Sequence, residues 1–227
     1  MHWHSNFRKQ TLLVLVGLPG SGKTTVGRQL ARRLHLPFVD SDHALEEYLG
    51  CSIREYFERE GEERFRDLES KVLDHLSECH EGVLSTGGGS VLRPINRERL
   101  RARGHVFYLR SSPEEVFRRL RHDQNRPLLQ VNDPQARLRD LFETRDPLYR
   151  DAAHYVIETG RPSVSTLVNM IVSQLELAGQ HPSRRAGAGG DLQNHVAKSN
   201  AAQSNAPQSA ASHSNTGGSI GTSSSAN

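Results

Sequence analysis

Lysine, cysteine and long apolar runs are all scarce in this chain. Of 227 residues only four are lysine (Lys9, Lys23, Lys71 and Lys198) against 25 arginines, so a lysine inside a motif stands out from a thin background. Cys51 and Cys79 are too few for a disulfide scaffold or a four-cysteine zinc site. They read as two reduced, partly buried thiols. The apolar run 11–16 has six residues before it meets Gly17, too short for a signal-peptide core or a membrane span. The expectation is therefore a soluble, cytoplasmic protein with no membrane partner. Hydrophobic residues make up 35%, and the deficit is local. Residues 181–227 hold 10 Ser, 9 Ala, 6 Gly and 5 Asn with no aromatic. Such a stretch cannot bury enough apolar surface to offset its ordering entropy, and it reads as a disordered low-complexity tail. The net charge of +3 is mostly in that tail (Arg184, Arg185 and Lys198 against Asp191), so the basic pI near 9.1 is no nucleic-acid footprint.

What remains is a short N-terminal extension (1–10) and one domain over 11–180. In that domain apolar runs alternate with amphipathic stretches. Strands are expected at 11–16, 36–40, 82–85, 105–110 and 154–158. A helix follows Gly22 with Val26, Leu30, Ala31 and Leu34 inward. Ser52 and Glu55 form a capping box for a short helix through Arg59. After Gly61 a longer helix shows Phe65, Leu68, Val72, Leu73 and Leu76 as its apolar face. Ser112-Pro113 starts another helix, Leu138, Leu141 and Phe142 mark one that Pro147 should close, and Pro162 opens a last one through Leu167, Met170, Ile171 and Leu175. Residues 121–133 are polar and read as a lid. The segment 97–103 reads as a solvated helix. Strict alternation implies an α/β fold of three layers, with a parallel sheet between two helical layers.

The strongest chemical signal is Gly17-Leu18-Pro19-Gly20-Ser21-Gly22-Lys23-Thr24, which fits G-x-x-x-x-G-K-[ST] between an apolar strand and an amphipathic helix. The glycines let successive N–H groups turn inward around phosphate oxygens, and the following helix aims its positive end at them. Lys23 supplies a point charge for the β/γ-phosphates, and the Thr24 hydroxyl a ligand for Mg²⁺. The chain carries neither an N-K-x-D motif nor a D-x-x-G after the third strand, which speaks against a switch GTPase.

Six segments in order, GLPGSGKTTVGRQLA, Asp40-Ser41-Asp42, Phe65-Arg66, LSTGGG, Arg126-Pro127-Leu128 and Arg145-Asp146-Pro147-Leu148-Tyr149, resemble those of shikimate kinases over roughly residues 11–177. The resemblance implies a P-loop kinase fold with a five-stranded parallel sheet and a mobile lid. It also implies transfer of the γ-phosphoryl of Mg·ATP to the 3-hydroxyl of shikimate, in the chorismate pathway, by a monomer. It makes Lys23, Asp42 and Arg126 catalytic, with Asp42 as general base or positioner of the hydroxyl. ATP falls to Gly20, Ser21, Gly22, Lys23, Thr24, Thr25, Arg119 and Arg126, with the Arg161-Pro162 segment beside adenine. Shikimate falls to Asp42, Arg66, Gly88 and Arg145, and one Mg²⁺ per subunit to Thr24 and, through water, Asp40.

Each of these residues also has a plainer reading. Arg66 has the spacing of a helix-surface ion pair with Glu62 or Glu69, Arg145 of a cation at a helix C-terminus, and Asp40 and Asp42 of an N-cap and a loop acid. Gly87-Gly88-Gly89 could be a flexible turn instead of a place where backbone N–H groups approach substrate, and Arg126 a surface arginine. A kinase of another small hydroxy acid such as gluconate, and a nucleotide-binding regulatory module without chemistry, remain the alternatives.

Overall fold

Residues 12–121 and 133–179 are described in a computed structural model of the chain. The N-terminal extension, the tail and residues 122–132 of the expected lid, Arg126 among them, lie outside the described residues. Leu12–Val16 forms β1, the central strand of a five-stranded sheet in the order β2-β3-β1-β4-β5, with Phe38–Asp40 as β2, Gly82–Ser85 as β3, His105–Arg110 as β4 and Tyr155–Glu158 as β5. All pairs are parallel, the expected sheet, though β2 and β5 begin later than their apolar runs suggest.

Because side chains alternate along a strand, β1 feeds two cores. Leu13 and Leu15 pack with α1 (Lys23–Leu34) and α7 (Val164–Leu177), through Val26, Leu30, Leu167 and Ile171. Leu12, Val14 and Val16 pack on the opposite face with α4 (Pro94–Arg103), α5 (Pro113–Leu120) and α6 (Pro134–Ala152). Burial on both faces explains why β1 is a continuous apolar run. No helix among the described residues is long and apolar enough to cross a membrane.

Six expectations change. Asp40, at the end of β2, caps a helix that the sequence reading lacked, α2 (Ser41–Leu49). Gly61, with φ 83°, kinks α3 (Ile53–Cys79) where two separate helices were read. On α3's second half the buried stripe is Phe65, Glu69, Ser70 and Leu73, so a carboxylate sits where apolar periodicity favoured Leu68. Helix α6 runs past Pro147 to Ala152. The proline leaves the Glu143 carbonyl without its helical donor, and burial of Tyr149 and Ala152 outweighs that loss. Cys79 is exposed and Met170 stays 38% exposed, outside the α7 apolar face.

Candidate active site

The carboxyl ends of parallel strands, where chain order reverses, are where α/β folds leave a crevice. The loop between β1 and α1 stands at that point. Gly22, the N-cap of α1, has φ 97° and ψ 13°, left-handed backbone that a side chain would strain. Lys23 is buried, and its Nζ donates to the carbonyls of Gly17 and Leu18 at 2.9 Å each. The Ser21 hydroxyl is buried in the loop without a hydrogen-bond partner among the described residues. Thr24 Oγ1 donates to Asp40 Oδ2 at 2.7 Å, and Asp40 Oδ1 accepts from the Asp42 amide at 3.1 Å. One carboxylate thus caps α2 and reaches the first turn of α1. Ser85, opposite Asp40 in the register of β3, carries another buried hydroxyl without a partner among the described residues.

A turn at Gly87–Gly89 gathers the second half of the site. Ser41 Oγ accepts from the Gly87 amide at 2.9 Å. The Gly88 carbonyl accepts from Arg145 Nη1 at 3.0 Å and from Tyr149 Oη at 2.6 Å. A Cβ on Gly87 would meet the Asp42 carboxylate, one on Gly88 the Pro19 ring at 2.6 Å, and one on Gly89 the Arg66 guanidinium. Of the three, Gly88 is required by packing, because the Pro19 ring cannot move aside as the Asp42 and Arg66 side chains can. Asp42, Arg66, Gly88 and Arg145, spread over 104 positions of sequence, converge on this turn, which touches the phosphate loop through Pro19.

Charge is concentrated here. Arg66 Nη1 donates to Glu69 Oε2 at 2.7 Å, and Glu62 accepts from the same guanidinium at 3.3 Å. The ion pairs suspected from spacing both exist. Only the Glu69 pair is buried, with side chains 13% and 3% exposed. Burial raises the Glu69 pKa, against the pull of Arg66 and Arg145. Asp42 is exposed on one side, yet its crowded carboxyl is pushed up to about 6 by burial, with Asp40, Glu69 and Glu46 adding to the rise and Lys23 opposing it.

At the other edge of the loop, Arg119 donates to the carbonyls of Ser21 (3.3 Å) and Thr159, tying α5 to the loop and to the segment after β5. Thr25 and Arg161 are exposed. Arginines at and within α4 are engaged: Arg93, its N-cap, pairs with Glu63 and Asp67, Arg97 with Asp151 and Arg103 with Asp74. Ser41, Glu69 and Tyr149 were not singled out as site residues. Their only sequence signals were a serine between two candidate aspartates, a carboxylate three residues after Arg66, and the tyrosine closing the Arg145–Tyr149 segment.

The family model for shikimate kinase matches residues 19–176. The chain belongs to the shikimate kinase family. A shikimate kinase from Paracidovorax citrulli is 60% identical over 76% of this chain and 96% of its own length, and one from Ralstonia nicotianae is 58% identical over 72% and 86%. Among solved structures, a shikimate kinase from Acinetobacter baumannii in complex with shikimate is 46% identical, covers 77% of this chain and 97% of its own, and superposes with a TM-score of 0.71. The five-stranded parallel sheet is thus that of the shikimate kinase fold, and the chain is an ATP-dependent kinase.

Proposed function

We propose that this chain phosphorylates shikimate at the 3-hydroxyl with ATP, giving shikimate 3-phosphate and ADP in the cytoplasm. The observation that carries the reading is the glycine turn, where two arginines and a carboxylate from separate elements meet beside the phosphate loop. A small acid with several hydroxyls suits such a set. Planar guanidinium groups offer paired N–H donors to a carboxylate, so Arg66 and Arg145 take the acid group. Glu69 holds Arg66 in place. Asp42 receives the 3-hydroxyl, orients it and accepts its proton as the oxygen bonds to the γ-phosphorus and the bond to the bridging oxygen of ADP breaks. Phosphoryl transfer through a loose transition state demands positioning more than proton removal, so orienting the hydroxyl is the larger part of Asp42's work.

On the nucleotide side, amides of Gly20 and Gly22 face the phosphates, the Ser21 amide exchanges the Leu18 carbonyl and Lys23 its loop carbonyls for phosphate oxygens, and Thr25 lies in the same first turn of α1. Arg119 borders adenine, and Arg126 from the lid segment neutralises charge developing on the transferred group. The residues fit Mg²⁺: Thr24 and Asp40 present hard oxygens 2.7 Å apart, with the orphaned Ser85 hydroxyl in register. Mg²⁺ takes only one or two protein oxygens beside phosphates and water. When bound it would draw charge off the β- and γ-oxygens, held by Thr24 directly and by Asp40 through water. Every residue named comes from one chain, so a monomer suffices.

An ADP-release assay with Mg·ATP tests the reading by comparing shikimate with gluconate. Turnover should strongly prefer shikimate, and Arg66→Ala or Arg145→Ala should raise its KM about a hundredfold while ATP binding persists, as expected for charged hydrogen bonds lost from a partly buried site. Preference for gluconate, or full activity in both variants, would overturn it.

A further inference from the structure

Asp146 is placed beside the site without facing it. Its Oδ1 accepts from Tyr108 Oη at 2.8 Å and from Arg110 Nε at 2.9 Å, and its Oδ2 from Arg150 Nε at 2.7 Å. Burial alone would raise its pKa, yet the hydrogen bonds from Arg150, Arg110 and Tyr108 hold it below the ordinary aspartate value. Tyr108 and Arg110 lie on β4, the strand paired with β1 and hence with the base of the phosphate loop. Arg110 also reaches Glu158 of β5 at 3.0 Å and lies over the Phe142 ring of α6, 4.9 Å from its centroid. The Tyr108 ring stacks on that of Tyr149 at 4.9 Å, and Tyr149 Oη donates to the Gly88 carbonyl.

We infer that Asp146 is a positioning residue for acceptor recognition, clamping the end of α6 to β4 so that Arg145 and Tyr149 meet the Gly88 carbonyl. The clamp acts where the helix most needs it. Pro147 follows at once and removes a backbone hydrogen bond, so the turn carrying Arg145 and Tyr149 has lost part of its own register hold. The two donors on β4, Tyr108 and Arg110, restore it from the side, and Arg150, four residues on in the same helix, fixes the carboxylate between them. Water-exposed ion pairs alone would contribute little, but here one donor is the hydroxyl of a fully buried tyrosine. Slack in this clamp displaces Arg145 relative to the glycine turn and leaves Lys23, Thr24 and Asp40 where they are. The effect is therefore confined to the acceptor.

The inference rests on Arg145 binding the carboxylate of shikimate. Kinetics of the full chain, varying shikimate and ATP separately, with calorimetric titration of shikimate, test it in Asp146→Ala, Asp146→Asn and Tyr108→Phe. Asp146→Ala should raise KM and Kd for shikimate about tenfold, the scale of one charge-assisted hydrogen bond, with kcat and KM for ATP within about twofold. Tyr108→Phe should give about a threefold rise. Asp146→Asn, whose Oδ1 still accepts from Tyr108 and Arg110, should restore most of the affinity. Unchanged shikimate affinity in both Asp146→Ala and Tyr108→Phe, or equal loss for both substrates, would overturn the inference. Should Asp146→Ala fail to fold, Tyr108→Phe decides alone, because it keeps the stacked ring. Absence of shikimate turnover in the unaltered chain would instead overturn the proposed function.

Discussion

The nucleotide half and the acceptor half of this site are built by opposite means. The first is eight consecutive residues, Gly17 to Thr24, and works through backbone conformation and a helix start. The second is assembled from α2, α3, the glycine turn and α6, and depends on side chains held by other side chains. A contiguous loop tolerates change elsewhere and is destroyed by change within it. A convergent site can be loosened from many places, each by a little.

The sharpest way to break this contrast is Lys23→Met. It removes the buried ammonium while nearly keeping chain length, and kcat should fall by about a thousandfold or more, as for other lost transition-state charge. Shikimate binding should change little, as measured by calorimetry. Loss of shikimate binding to the same degree would mean that the halves are not separable.

Gly88→Ala probes the seam between them. The new Cβ would press on the Pro19 ring at 2.6 Å, and overpacking of this kind costs about 1–3 kcal/mol. Both substrate affinities should fall, by about tenfold, with a lower melting temperature. An effect on one substrate alone would place the seam elsewhere.

The smallest effect is expected from Asp42→Asn on stability. The folded-state pKa of Asp42 is raised to about 6 from 3.8, so the folded chain binds the extra proton and Asp42 makes stability fall as pH rises between those values. The neutral variant should abolish that fall. At pH 7 it should be more stable by about 1 kcal/mol, after discounting for the solvent that reaches this exposed residue, while losing activity. Urea titrations at pH 4 and 7 measure the difference, and equal stabilisation at both would refute the assignment. The unaltered enzyme should also show an acid limb near pH 6 in kcat/KM.

The contrast also decides what could be read in advance. The phosphate loop was legible because its chemistry is local, and β4 was found at its true bounds because a buried strand writes itself as an apolar run. Asp42, Arg66, Gly88 and Arg145 were legible through family resemblance, since nothing in their spacing says that they meet. Glu69 was hidden by helix periodicity, which favours Leu68 for the buried face; the paired charge of Arg66, with Arg145 nearby, makes a carboxylate tolerable there. Asp40 was read as a possible N-cap and is one, but the helix it opens was missed because only Ser41 and Leu45 of α2 are buried, too little for an apolar periodicity to show. The continuation of α6 past Pro147 depends on tertiary burial of Tyr149, which local rules about proline do not contain.

The register of β1 has a consequence for the chain as it is made. The strand that carries the phosphate loop has no pairing with its sequence neighbour β2. Its partners are β3 at Gly82–Ser85 and β4 at His105–Arg110, the latter ending more than eighty residues after Thr24. At translation speeds of ~5–20 residues per second, that delay is on the order of ten seconds. Throughout it the nascent chain carries the complete G-x-x-x-x-G-K-T sequence on a strand open along at least one edge, so ribosome-bound chains ending before His105 should not retain nucleotide.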